Sequence, residues 1–114
     1  MVQDAERIQR FVAPHTRESF RNDDQAVVAA CYGFVRLGEA ATHIPQSVIT
    51  ANPQVEWGAI RHFRNFMIHV YPAVDPGHLY DTAKTDLPPL VKKLQAVLDA
   101  DLASSRALNN PSAG

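Results

Sequence analysis

The stretch DDQAVVAACYGFVRLGEAATHIP, residues 23–45, decides the fold. Val27, Cys31, Phe34, Gly38 and Ala41 recur in it every three or four residues. That is the spacing of one face of an α-helix, not the alternation of a strand. Asp23 or Asp24 can cap the free N–H groups of the first turn. Ile44-Pro45 closes the element, because a residue before proline avoids the helical region. Gly33 and Gly38 each cost about 1 kcal/mol relative to alanine inside a helix. Close approach of another helix is the compensation these two positions predict.

Working outward, the same period runs through almost the whole chain. Before residue 23, Ala5, Ile8 and Val12 mark a helix over residues 1–12, stopped by Pro14. Thr16, Glu18 and Phe20 mark a brief helical piece. Beyond residue 45 comes a connector over 45–54, with Asn52-Pro53 as its turn signal. The next helix is expected to start between Pro53 and Glu56. Trp57, Ile60, Phe63, Met67 and Val70 form its stripe, and Tyr71-Pro72 ends it. Asp75-Pro76-Gly77 reads as a turn before a shorter helix over 78–86. Pro88 and Pro89 then open the last helix, since a first-turn N–H has no intrahelical partner to lose. Its wide apolar face runs from Leu87 to Leu102, and the pattern is lost in ASSRALNNPSAG, residues 103–114. The expected architecture is all-α: one up-and-down bundle of four to five helices over 1–102, followed by a disordered tail over 103–114.

Composition narrows the possibilities. The 114 residues suffice for one domain, and 46% apolar with 20% charged suits a packed core. Eleven Lys and Arg face twelve Asp and Glu, a formal net charge of −1. A protein gripping long nucleic acid by bulk charge would be clearly basic, so any nucleic acid here must meet a local patch. Apolar runs such as residues 26–32 are far short of a membrane span. Asp4, Glu6, Arg7 and Arg10 interrupt any secretory apolar core at the start. A single cysteine, Cys31, excludes a disulfide framework, and the chain reads as cytoplasmic. Cys31 and Trp57 read as core residues, and no histidine spacing calls for a metal.

One segment carries chemistry. Arg61, His62, Arg64 and His69 lie in a run from Trp57 to Val74 that contains no acidic residue. Asn65 and His69, four apart, share a helical face, and the long Arg64 side chain can reach the same space. The last turn of a helix favours the imidazolium form of His69. Arginine can hold a phosphate through two parallel hydrogen bonds, and histidine can move a proton near neutral pH. The pair suffices for metal-independent RNA cleavage by attack of the 2′-hydroxyl on its own phosphodiester. By residue chemistry alone, an Arg and a His near each other on a helix are more often ordinary surface residues.

The string Arg64-Asn65-x-x-x-His69-x-Tyr71 resembles the signature of the HEPN superfamily, specifically of its HepT-like toxins. Gly38-Glu39-Ala40-Ala41 is similar to that family's GEA motif. Ile44-Pro45, Pro53 with Trp57 and Ile60, Val74-Asp75, and Asp86-Leu87-Pro88 with Leu90 fall where the family has them, so the resemblance spans residues 4–100. It departs at the start, where the family carries a longer first helix.

The resemblance implies a helical bundle forming a two-fold homodimer, with one Arg and one His from each protomer in a composite cleft. It implies a ribonuclease that needs no metal or other cofactor. Arg64 would bind the scissile phosphate, and His69 would be general acid or base. Asn65 would orient the cleft and Glu39 would hold Arg64. Tyr71 corresponds to the tyrosine that an MntA-type nucleotidyltransferase antitoxin modifies with AMP, which would block RNA. The alternative within the superfamily is a non-catalytic helical module that binds a nucleotide or a nucleotidyltransferase partner.

Overall fold

The computed structural model describes residues 1–70 and 74–109, and the side chains of 68–70 and 104–109 lie outside that description. Among the described residues there are seven helices and no strand: α1 (Val2–Val12), α2 (Arg17–Arg21), α3 (Asp24–Thr42), α4 (Gln46–Ala51), α5 (Trp57–Val70), α6 (Pro76–Thr85) and α7 (Leu87–Asn109). The five helices of ten residues or more make the expected all-α bundle, and α2 is the brief helical piece around Phe20.

Of the two candidate caps for α3, Asp23 takes the role: its extended backbone places Oδ1 to accept from the Ala26 N–H at 3.1 Å. Asp75 does the same for α6 and accepts from the Gly77 N–H. That helix therefore begins at Pro76, two residues before the expected start.

Two boundaries differ further. The connector over 45–54 contains α4, a helix of six residues that is too short to show a period in sequence. The last helix continues through Asn109, past the expected boundary at Leu102. Ala103, Arg106, Ala107 and Leu108 are good helix formers, and Pro111 is the first breaker beyond them.

The core is in two parts. The larger gathers Ala5, Ile8 and Val12 of α1 with Phe20, with Ala30, Cys31, Phe34 and Leu37 of α3, and with Met67, Leu79 and Leu87. The smaller joins Val55, Trp57 and Leu94, flanked by Ile44 and Ile49. There the indole N–H donates to the Asn52 carbonyl at 3.0 Å, so the ring is buried without an unmet donor.

Helix α1 lies antiparallel on α3. Asp4 pairs with Arg36 at 3.3 Å, and a Cβ on Gly33 would come within 2.6 Å of Ile8 Cγ1. Gly33 is thus one of the two expected close approaches.

Cys31 is buried on the α3 stripe, and desolvation pushes its thiol up to about 11. Between roughly pH 9 and this value the unfolded chain releases the proton and the folded chain keeps it. Stability is therefore lost as pH rises through that window, by on the order of 1 kcal/mol per pH unit. Alkaline urea titrations of the wild type and Cys31→Ala test this, and the gap between the two proteins should narrow as pH rises.

Candidate functional site

Helices α3 and α5 meet at Gly38. A Cβ there would lie 2.0 Å from Arg64 Cβ, 2.7 Å from Arg64 Cγ and 3.2 Å from the Ile60 carbonyl oxygen. Only a hydrogen fits, so the stem of Arg64 lies directly on the α3 backbone. Phe34 and Phe63 fix the same seam one turn away, with ring centroids 4.9 Å apart. Met67, 2% exposed, anchors α5 from beneath.

Seated this way, the Arg64 guanidinium reaches Glu39, the next residue along α3. Nη2 donates to Glu39 Oε2 at 2.5 Å, and Nη1 donates to Asn65 Oδ1 at 2.8 Å. Arg64 Nε is buried and has no hydrogen-bond partner among the described residues. A guanidinium has five N–H groups. Among the described residues two are engaged and one is buried, which leaves one on each terminal nitrogen. The Arg64 side chain is 27% exposed, so an anion from solvent can reach it.

Electrostatics explain the pairing. Glu39 lies in the last turn of α3, where the helix dipole disfavours a carboxylate, and no basic residue of α3 occupies that turn. Its countercharge comes from α5, a helix segment with no acid of its own. A second side chain approaches from the C-cap of α3: His43 Nε2 stands 3.7 Å from Glu39 Oε1. The site is therefore a chain of four side chains, His43, Glu39, Arg64 and Asn65.

Three of the residues expected from sequence are thus brought together: Glu39, Arg64 and Asn65. The fourth, His69, is in the last turn of α5, and its side chain lies outside the described residues. Tyr71 lies outside the described residues altogether. His43 is the member that the sequence reading missed. Its signal was the spacing of four from Glu39, legible only once Glu39 mattered.

His15 does other work. It contacts Ser19 Oγ at 3.0 Å and packs edge-on against Phe20, as part of the α2 capping network. Among the described residues no three His, Cys, Asp or Glu side chains gather as a metal site would require.

The arrangement offers a fixed, partly open guanidinium suited to an oxyanion of phosphate or carboxylate. A family profile described as "Ribonuclease HepT-like" matches residues 1–97. A "Probable ribonuclease HepT" from Thermococcus cleftensis is 30% identical over 90 residues, which cover 79% of this chain and 82% of that protein. A protein of Methanocaldococcus jannaschii named "Putative RNase" is 24% identical over 88 residues, covering 77% and 73% respectively. No solved structure matches at comparable stringency.

Proposed function

The chain belongs to the HepT-like ribonuclease family, and on that premise we propose that it is an endoribonuclease that cuts RNA without a metal ion. The observation that carries the proposal is the seating of Arg64, fixed by Glu39 and Asn65 yet open to solvent, on the helix that also bears His69.

In the reaction the 2′-hydroxyl of the substrate attacks the adjacent phosphorus. A base takes the hydroxyl proton, the bond from phosphorus to the 5′-oxygen breaks, and an acid protonates that oxygen as it leaves. The products are a 2′,3′-cyclic phosphate and a 5′-hydroxyl. Arg64 stabilises the negative charge that builds on the phosphoryl oxygens. His69 is the proton carrier. Asn65 and Glu39 position the guanidinium.

Base and acid are two jobs, and a homodimer with its two-fold axis near α5 supplies two imidazoles to one cleft. Phe66, 42% exposed on α5, supports this by leaving apolar surface bare on that helix. Tyr71, two residues past His69, is the acceptor of AMP from an MntA-type nucleotidyltransferase antitoxin. The phosphate adds negative charge and bulk beside the cleft, which opposes RNA.

The test incubates purified protein with RNA in EDTA, beside His69→Ala. Cleavage should persist in EDTA, leave 2′,3′-cyclic phosphate ends, and fall by roughly 10²-fold or more in the variant. Equal background in both samples would sink the enzyme, and RNA bound but uncut would point to the binding-module alternative. Loss of cleavage in EDTA would sink metal independence alone. After co-expression with a cognate nucleotidyltransferase, an AMP adduct that survives Tyr71→Phe would refute the assignment of the acceptor.

A further inference from the structure

Glu39 faces two nitrogen-bearing side chains, and only one of them has a role in the reaction proposed above. Its Oε2 holds Arg64 Nη2 at 2.5 Å, while its Oε1 stands 3.7 Å from His43 Nε2, beyond hydrogen-bond distance. We propose that His43 is a positioning residue: the alternative partner of the Glu39 carboxylate, to which Glu39 turns when a phosphate takes Arg64. The inference rests on the reading of Arg64 as the phosphate-binding residue.

A conflict of charge motivates it. A phosphate on the free N–H groups of Arg64 repels the Glu39 carboxylate held by the same guanidinium. That repulsion weakens the Glu39 grip as substrate arrives and favours a second partner for the carboxylate. Left alone, it would be a bare carboxylate in the last turn of α3, on the negative end of the helix dipole. His43 removes that obstacle. It is the C-cap residue of α3, and it sits four residues on, on the same side of the helix, with a ring nitrogen towards the carboxylate.

The movement is small. Closing the gap from 3.7 Å to hydrogen-bond distance takes about 1 Å. The backbone beneath is held independently of Arg64: Thr42 Oγ1 donates to the Glu39 carbonyl at 2.6 Å, and the His43 N–H donates to the Ala40 carbonyl at 3.1 Å. Stability does not explain the contact, since His43 is 77% and Glu39 49% exposed, and such pairs add little.

The test is nuclear magnetic resonance of protein labelled in its histidine rings and asparagine side-chain amides. The probe is a single-stranded oligonucleotide of 2′-deoxy sugars, which lacks the attacking hydroxyl. On saturation of the wild type, the Asn65 amide and the His43 ring resonances should both move. In Glu39→Gln the Asn65 amide should still move and the His43 ring should stay in place.

A stationary His43 ring beside a moving Asn65 amide in the wild type overturns the proposal. So does a His43 shift that survives Glu39→Gln, which would mean direct contact with the nucleic acid. If neither resonance moves, Arg64 does not receive the phosphate, and the ribonuclease reading falls with the inference. In cleavage kinetics, His43→Gln should raise KM about threefold, the order of one exposed ion pair, with kcat little changed. In the Glu39→Gln background the same substitution should have no effect.

Discussion

Arg64→Lys is expected to lower RNA cleavage by roughly 10²- to 10³-fold, the cost of losing one transition-state donor, while the protein stays folded. Lysine keeps the charge and most of the stem, so a purely electrostatic role would survive it. It cannot keep the geometry. The guanidinium spans Glu39 and Asn65 with two different nitrogens and still presents one N–H on each. A single ammonium has no planar fork with which to hold a phosphate through two bonds.

Stability should change little, for a reason specific to this site. The Glu39 pair is half-exposed and therefore weak. The Arg64 Nε, buried with no partner among the described residues, is a cost that lysine removes. Arginine is thus held here at some expense to the fold, which is what a residue serving a ligand would show. Measured kcat/KM beside a urea melt separates the two effects. Full activity in Arg64→Lys would remove Arg64 from the mechanism.

Gly38→Ala should destabilise the fold by about 2 kcal/mol and disable the site together. Two effects compete. Alanine favours a helix over glycine by about 1 kcal/mol. Against it, the new methyl would sit 2.0 Å from Arg64 Cβ and 3.2 Å from the Ile60 carbonyl oxygen. Neither neighbour is the loose end of a side chain, so α3 and α5 must part. Overpacking of this kind costs about 3 kcal/mol at the upper end of its usual range, and it wins.

At 4–8 °C per kcal/mol, Tm should fall by roughly 10 °C, and Arg64 should be carried away from Glu39. Gly58→Ala is the internal control. It lies on the same helix as Arg64 with nothing within 4 Å of its absent Cβ, so the same change should be neutral or slightly stabilising. A Gly38→Ala protein as stable as Gly58→Ala would show that the seam is looser than described.

What could be read in the sequence, and what could not, follows from how far each signal reaches along the chain. The stripes of α3 and α5 were legible because a buried face repeats every turn. Gly33 and Gly38 were legible as close approaches, but which helix approached each was not: Ile8 and Arg64 are far from them in sequence. The Glu39–Arg64 pair bridges 25 residues, and no local pattern carries that distance. It came from likeness to a family, and the Arg61–His69 run looked free of countercharge because its acid stands on another helix. Helix α4 was too short for a period, and His43 had no meaning before Glu39 had one. A net charge of −1 leaves room for the proposed anion site, because the arginine's charge is placed rather than spread.

The division of the core bears on how the molecule reports on itself in solution. Trp57 is the chain's one tryptophan, and it belongs to the small cluster with Val55 and Leu94 under α4, not to the large one beneath Arg64. Its emission follows the drying and wetting of that enclosure. Cooperative units in a native protein open at different free energies, and a six-residue helix over three buried side chains is a natural first unit to open. Intrinsic fluorescence in this protein is accordingly a gauge of the α4 corner, while far-ultraviolet dichroism reads the bundle.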